Sequence, residues 1–406
     1  MKNSLTAFFI LFSLFITAQT TVAQAPRTTP AAPAAAPKTP KVEAFLKIFN
    51  FYAAQMEKAQ SALVEIQKPE TTAARRAELE PILEDISEKI SKVYPQMMKA
   101  AEAAWLESPG AVPELDFFIA QVLENRLMSD NYERAYALLV GMLKGDFPQK
   151  LPEVYDVAAE TCFMLNQYDA ADKFFKMAEQ KKVLSDKGAA WQKLLQYYRV
   201  AWAKEKTLRD RETQANDLPR VVLETTKGNI TLELFENEAP NTVANFIFLV
   251  EKKFYDGSPF HSVIPSFVAQ AGSSAKTGEP GPGHRIACEA DKPGARKHFR
   301  GSVSMALSGK DTGGSQFFIC FTPLQDLDSV NTVFGRVVDG WDVLSELTRI
   351  NANNPDPLAE PDIITSATVL RKRDHVYKPK AISDSAKTTT STSKTPAKKP
   401  DGPSAY

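Results

Sequence analysis

One of the chain's four histidines stands beside a serine inside an apolar, strand-like run, FHSVIPSFVAQAG, Phe260 to Gly272. Histidine and serine together could act as a base and its nucleophile. In a strand, however, neighbouring side chains point to opposite faces, so His261 and Ser262 cannot pair by adjacency. No GxSxG turn surrounds Ser262 and no acidic partner is indicated, which argues against a hydrolase. A second informative run is GSVSMALSGKDTGGSQFFICF, Gly301 to Phe321. Within GSQFFIC a strand places Gln316 and Phe318 on one face, with Phe317 and Ile319 on the other. An amide beside an aromatic ring suits an extended peptide: hydrogen bonds for its backbone, apolar contact for its side chain. An ordinary strand with mixed faces has the same periodicity. Cys162, Cys288 and Cys320 have no metal-ligand spacing. They read as buried small hydrophobes, and an odd count leaves at least one thiol free.

Both runs must be held by a β framework. From about Leu218 the hydrophobic period becomes two. VVLETTKGNITLELF alternates on both sides of TKGN, as a hairpin would, with Val221 and Leu223 on one face and Ile230, Leu232 and Leu234 on another. A short amphipathic helix, PNTVANFIFLVEKKF, follows. Short apolar segments between glycine-rich loops then run to about Arg373, a pattern that predicts a closed β-barrel.

The rest of the chain is of other kinds. Residues 1–25 read as a signal peptide: Lys2, the apolar run AFFILFSLFITA, and a small-x-small site at Ala23-Gln24-Ala25. The run is too short to span a bilayer comfortably, and no later run reaches that length. An exported protein follows, with the periplasm or cell envelope of a bacterium as its expected place. Residues 26–40 form a Pro/Ala-rich linker. Residues 41–213 are helical in pattern, with Pro69 breaking a first helix and Pro81 suited to the first turn of a second. Two stretches, DNYERAYALLVGML and NQYDAADKFFKMAE, align Tyr132 over Tyr168 and Ala135 over Ala171, a period of 36 residues. Such units mark an α-solenoid, and the second resembles the back half of a tetratricopeptide motif; a plain helical bundle is the alternative. Residues 375–406 hold little to bury and read as a disordered tail. Lysine plus arginine equal aspartate plus glutamate at 49 each, which removes the electrostatic reason to expect nucleic-acid binding.

Within 217–374, the segments NEAPNTVANFIFLVEKKFYDG, FH-VIP-FV-Q-G, HFRGSVSMA, TGGSQFFI and TVFGRVVDGWDVL occur together and in order. Residues from about Val221 to Val369 thereby resemble a cyclophilin-type peptidyl-prolyl cis-trans isomerase domain. The resemblance implies an eight-stranded barrel capped by two helices, which acts on proline-containing polypeptides and needs no cofactor or metal. Carried over by motif, Phe267, Val268, Phe318 and Leu327 line the proline pocket, with Met305 as an extra wall. Gln270 and Gln316 orient the peptide, and Ala306 lies along its backbone. Phe267 and Gln270 differ in parity, so a bulge or bend must reconcile them if both line one site.

The chain also departs from the family. Its FHR triplet reads Phe260-His261-Ser262, and serine supplies neither the reach nor the charge of the arginine credited with polarising the imide nitrogen. The usual tryptophan or histidine of the next loop is Asp326, a following histidine is Asn331, and the usual glycine after the strand is Ala271. The sequence therefore leaves two readings open. One is an isomerase of impaired turnover, with Arg285 or Arg300 as a replacement cation. The other is a non-catalytic binder of proline segments, a chaperone or assembly factor whose helical region docks a protein partner.

Overall fold

The computed structural model describes residues 39–145, 147–273, 281–351, 356 and 358–382. The signal peptide, most of the linker and the tail beyond Ile382 lie outside the described residues. The chain forms two compact units, the first running to Leu123 and the second from Glu124.

In the first unit, helix α1 (Pro40–Gln67) starts with Thr39, whose hydroxyl accepts from the Val42 N–H, and stops before Pro69. Helix α2 (Ala73–Glu107) begins at a second threonine cap, Thr72. Pro81 is therefore an exposed interior residue of α2, not a first-turn residue. The Thr72 cap starts the helix two turns earlier than the proline signal implies. Tyr52 of α1 and Tyr94 of α2 pack with ring centres 6.1 Å apart. Helix α3 (Pro113–Met128) follows.

In the second unit, α4 (Tyr132–Met142), α5 (Phe147–Lys150), α6 (Val154–Met164), α7 (Tyr168–Lys181) and α8 (Asp186–Ala215) precede the β framework. The 36-residue period has a physical counterpart. Asp130 and Asn166 both take positive φ, at 58° and 60°. Each side chain accepts a hydrogen bond from the tyrosine two residues on, Tyr132 at 3.2 Å and Tyr168 at 2.9 Å. The small Ala135 and Ala171 are buried beneath these turns.

The β framework is one antiparallel nine-stranded sheet. Its strands are β1 (Arg220–Thr225), β2 (Gly228–Leu234), β3 (Ser258–Pro259), β4 (Ser262–Val263), β5 (Val268–Ala271), β7 (Ser302–Met305), β8 (Phe317–Cys320), β9 (Val333–Asp339) and β10 (Ile363–Arg371). They lie in the order β3-β10-β1-β2-β9-β7-β8-β5-β4. Hairpin β1–β2 has the expected turn, with Leu223 opposite Ile230 and Val221 opposite Leu232. The sheet curls around a core built from these residues with Phe246, Phe260, Phe317 and Phe334. Helix α9 (Pro240–Glu251) supplies Phe246, and α10 (Trp341–Glu346) also packs on the sheet.

Part of the expected tail is ordered. Tyr377 is 3 % exposed in the core under the sheet, and its hydroxyl donates to Glu236 at 2.7 Å. Strand β11 (Ala381–Ile382) pairs with β6 (Arg285–Ile286). One aromatic ring with a hydrogen-bonded tip is enough to anchor a segment whose composition otherwise reads as unstructured.

Helix α8 is joined to the β framework by buried charge. The Arg296 side chain, 1 % exposed, contacts Glu205 at 2.8 Å and Glu212 at 2.5 Å, both on α8. Its guanidinium lies 3.8 Å from the Phe235 ring centre. Arg336 of β9 reaches Glu212 at 3.2 Å and Glu233 at 2.6 Å. Burial opposes ionisation of Arg296, yet the two carboxylates hold its pKa above the ordinary arginine value. Replacing Arg296 by Met leaves Glu205 and Glu212 buried without their main counter-charge. We expect a loss of about 3–5 kcal/mol, read as a lower urea midpoint.

Candidate active site

Strand register assembles the site. Ser262 of β4 stands opposite Gln270 of β5, Gln270 opposite Phe318 of β8, and Phe318 opposite Ser304 of β7. Directly opposed residues share a face, so these four side chains form one row across the sheet. The next row on that face is Val268 and Cys320. The other face carries Val263, Ala269, Ile319 and Val303 into the core.

On the site face, Val268, Phe318, Cys320 and Leu324 form an apolar cluster against which Phe267, Ala306 and Leu327 pack. Phe267 escapes the parity conflict because it lies in a bend just before β5. Ser266 takes φ +55°, the Phe267 N–H donates to Ile264 O at 3.1 Å, and Ile264 N–H donates to Val268 O at 2.9 Å. Leu327 closes a short 3₁₀ turn, Gln325–Leu327. Met305 does not join the cluster. It stands opposite Phe317 in the core under the sheet, and Ala306 is the first residue of that segment to face the site.

The polar side adjoins this cup. Gln270 Nε2 donates to Gln316 Oε1 at 3.0 Å, and the Ala306 N–H donates to the Gln316 carbonyl at 2.9 Å. Gln270, Gln316, Ala306, Leu307, His284 and Arg285 are among the residues lining an open cleft of about 460 Å³. Its far wall is braced from α9: Asn245 donates to Gly314 O at 2.7 Å and meets His284 Nε2 at 2.7 Å. Gly272 lets the chain pass close beside Gln316, since its φ is +96° and a Cβ there would lie 2.4 Å from Ser315 O.

The substituted positions have found other work. Asn331 is buried and donates to Met305 O at 2.9 Å, while Asp326 is exposed. Arg300 is not available as a replacement cation. It is held by Glu133 at 2.5 and 2.8 Å and by Asp130 O at 3.1 Å, over the rings of Tyr132 and Trp341. Arg285 does line the cleft. Ala271 is buried in the core. His261 is half-buried, with its ring bonded to the Pro259 backbone, and burial lowers its pKa.

His298 and Asp328 were not legible as site residues. His298 is fully buried, its ring stacked on Phe318 with centres 6.1 Å apart and planes 12° apart. Its Nδ1 lies 2.9 Å from Asp328 Oδ1, and its Nε2 lies 3.0 Å from Ser304 Oγ. A carboxylate only accepts, so Nδ1 carries the proton. Burial lowers the pKa of His298 despite Asp328, and the Ser304 hydroxyl that faces its Nε2 also donates to the Thr332 carbonyl at 3.1 Å. The lone signal in the sequence is a histidine four residues before a strand whose outward serine is Ser304.

Residues 220–369 match the family described as cyclophilin type peptidyl-prolyl cis-trans isomerase/CLD. A peptidyl-prolyl cis-trans isomerase of Helicobacter pylori is 49 % identical over 145 residues, 35 % of this chain and 88 % of that protein. One from Synechococcus elongatus is 46 % identical over 151 residues, 37 % of this chain and 99 % of that one. The crystal structure of a Cryptosporidium parvum cyclophilin type isomerase is 28 % identical, covering 38 % of this chain and 99 % of that one, with a TM-score of 0.35. The site is an open cleft on a curled antiparallel sheet. The chain belongs to the cyclophilin-type peptidyl-prolyl cis-trans isomerase family.

The buried histidine sets a pH dependence. Because its folded pKa lies below 6.5, the unfolded chain binds a proton that the folded one refuses as pH falls past that value. The stabilisation is complete above about pH 6.5 and is lost on acidification. His261 acts in the same sense, whereas His375, raised by its bond to Glu236, acts oppositely. Between pH 7.5 and 5.5 the urea midpoint should fall. His298→Gln should flatten that fall by up to about 1.4 kcal/mol per pH unit.

Proposed function

We propose that the β framework catalyses cis–trans rotation about X-Pro bonds of polypeptide clients, at a rate reduced by the serine at position 262. The carrying observation is the row Ser262–Gln270–Phe318–Ser304 with its apolar cup. Phe267, Val268, Phe318 and Leu327 offer a proline ring an apolar seat, while Gln270, Gln316 and the Ala306 backbone hold the flanking peptide. Rotation must overcome a barrier of roughly 18–20 kcal/mol set by amide resonance. Seating the ring while the preceding carbonyl turns favours the twisted state. The missing contribution is a preorganised donor to the imide nitrogen. Loss of one such donor typically costs about 10²–10³ in rate. Among the described residues of the cleft wall Arg285 is cationic, and it is our choice of surrogate.

The remaining readings support this one. Strands β3 and β4 sit at opposite edges of the ladder yet are separated only by Phe260 and His261. Taken as one bent strand, they turn nine strands into eight and close the barrel. The repeated turn at Asp130 and Asn166 supports a tetratricopeptide-like helical region, 41–213 in sequence terms, that docks a protein partner. Residues 1–25 support export to a bacterial envelope or periplasm. The loss of the arginine favours a second reading, a binder of proline segments without turnover.

Exchange NMR on an Ala-Pro peptide should show acceleration above background that falls at least tenfold in Phe318→Ala and severalfold in Arg285→Ala. Ser262→Arg should raise it about tenfold or more. Binding without turnover in the native chain and in Ser262→Arg would leave only the binder reading.

A further inference from the structure

Both loops that complete the proline cup are held from outside by residues of the helical region. On one side, the bend carrying Phe267 depends on Ser266 at φ +55°, a conformation that an L-residue adopts at some cost. The Ser266 N–H points at both oxygens of Asp130, at 3.1 and 3.2 Å. Asp130 is 1 % exposed, and its carboxylate is fixed by Tyr132 and by Arg349 at 3.1 Å. It occupies the turn position that Asn166 fills in the second repeat, where the asparagine serves its own tyrosine.

On the other side, Tyr197 of α8 donates to Asp328 Oδ2 at 2.6 Å. Asp328 follows Leu327, and its other oxygen accepts from the His298 N–H at 2.8 Å and faces Nδ1 at 2.9 Å. His298 in turn is the plate on which Phe318 stacks. The next residue, Phe299, is buried in the aromatic core of the helical region, edge-on to Tyr198 and Trp202. The pocket floor and the helices are thus joined through consecutive residues.

We propose that Asp130 and Tyr197 are positioning residues for the proline pocket, the first fixing the Phe267 bend and the second fixing the Leu327 loop and the His298–Phe318 stack. This rests on the reading of that cluster as the proline site. The helical region then completes the pocket, so the β framework alone has a looser one. A cup that is preorganised binds without first ordering its walls, so the effect is read in peptide affinity as well as rate.

The test uses the full chain, an Ala-Pro peptide, and three variants: Tyr197→Phe, Asp130→Asn and Asp342→Asn. Asp342 is the control. It pairs with Arg134 of α4 at 2.9 Å and accepts from Asn131, beside Asp130, at 3.0 Å, so it joins the same two regions next to the tested turn without touching a pocket loop. Tyr197→Phe and Asp130→Asn should each weaken peptide affinity and lower kcat/KM by about three- to tenfold. Tyr197→Phe should melt within about 4 °C of native, Asp130→Asn lower because Arg349 loses its buried counter-charge, and Asp342→Asn should match native in affinity and kcat/KM. Native-level affinity in the first two variants, or an equal loss in Asp342→Asn, overturns the proposal. If the native chain neither binds nor turns over the peptide, the isomerase reading falls. The aromatic resonances of Phe267 and Phe318 then still decide whether Tyr197→Phe and Asp130→Asn, unlike the control, release the two loops. Should Asp130→Asn fail to fold, Tyr197→Phe, which removes one hydroxyl, decides the Leu327 side.

Discussion

The placement of Arg296 governs the second unit. A guanidinium without solvent must be matched by carboxylates at hydrogen-bonding distance, and here both come from one face of α8, at positions 205 and 212. That requirement fixes the rotation of α8 about its own axis. With its lower end so fixed, Tyr197, two turns earlier, is delivered to Asp328, and Tyr198 to Phe299. The same charge cluster reaches β9 through Arg336 and β2 through Glu233. Hydrophobic packing alone would tolerate small rotations of the helix; paired buried charges specify one.

The site combines two kinds of placement. The floor is set by strand register, in which a slip of one residue would send Phe318 and Gln270 into the core. The walls are set by loops, which need contacts from elsewhere to hold their shape. Ser262 and the apolar cup lie on the same sheet face, with Gln270 standing between Ser262 and Phe318. The positions that changed have been absorbed into structure, as Asn331 has by bonding to the Met305 carbonyl.

Period-two alternation made the hairpin and the row of inward valines and leucines readable, because burial of one sheet face constrains every second residue. The motif segments placed Phe267, Val268, Gln270, Gln316, Phe318 and Leu327 together, and the required bend at Phe267 followed from parity alone. Met305 was misplaced because a motif records neighbourhood in the chain, while the face a residue occupies depends on register with Phe317. Asp130, Tyr197 and Asp328 were illegible for a different reason. Their bonds span 131 to 136 residues, and nothing local distinguishes them from surface polar groups. Tyr377 was hidden inside a segment whose composition resembles a solvated tail.

That C-terminal strap has a consequence in time. Strand β6, which carries Arg285 of the cleft wall, has its partner at Ala381 and Ile382, some 95 residues later in the chain. At ordinary synthesis rates of about 5–20 residues per second, the wall waits roughly 5–20 s for that partner to emerge. During that interval the nascent domain has its aromatic floor but an unpaired strand edge beside it. The cleft is therefore among the last features of the molecule to mature, and a chain stopped near Asp374 would stay permanently at that juvenile stage.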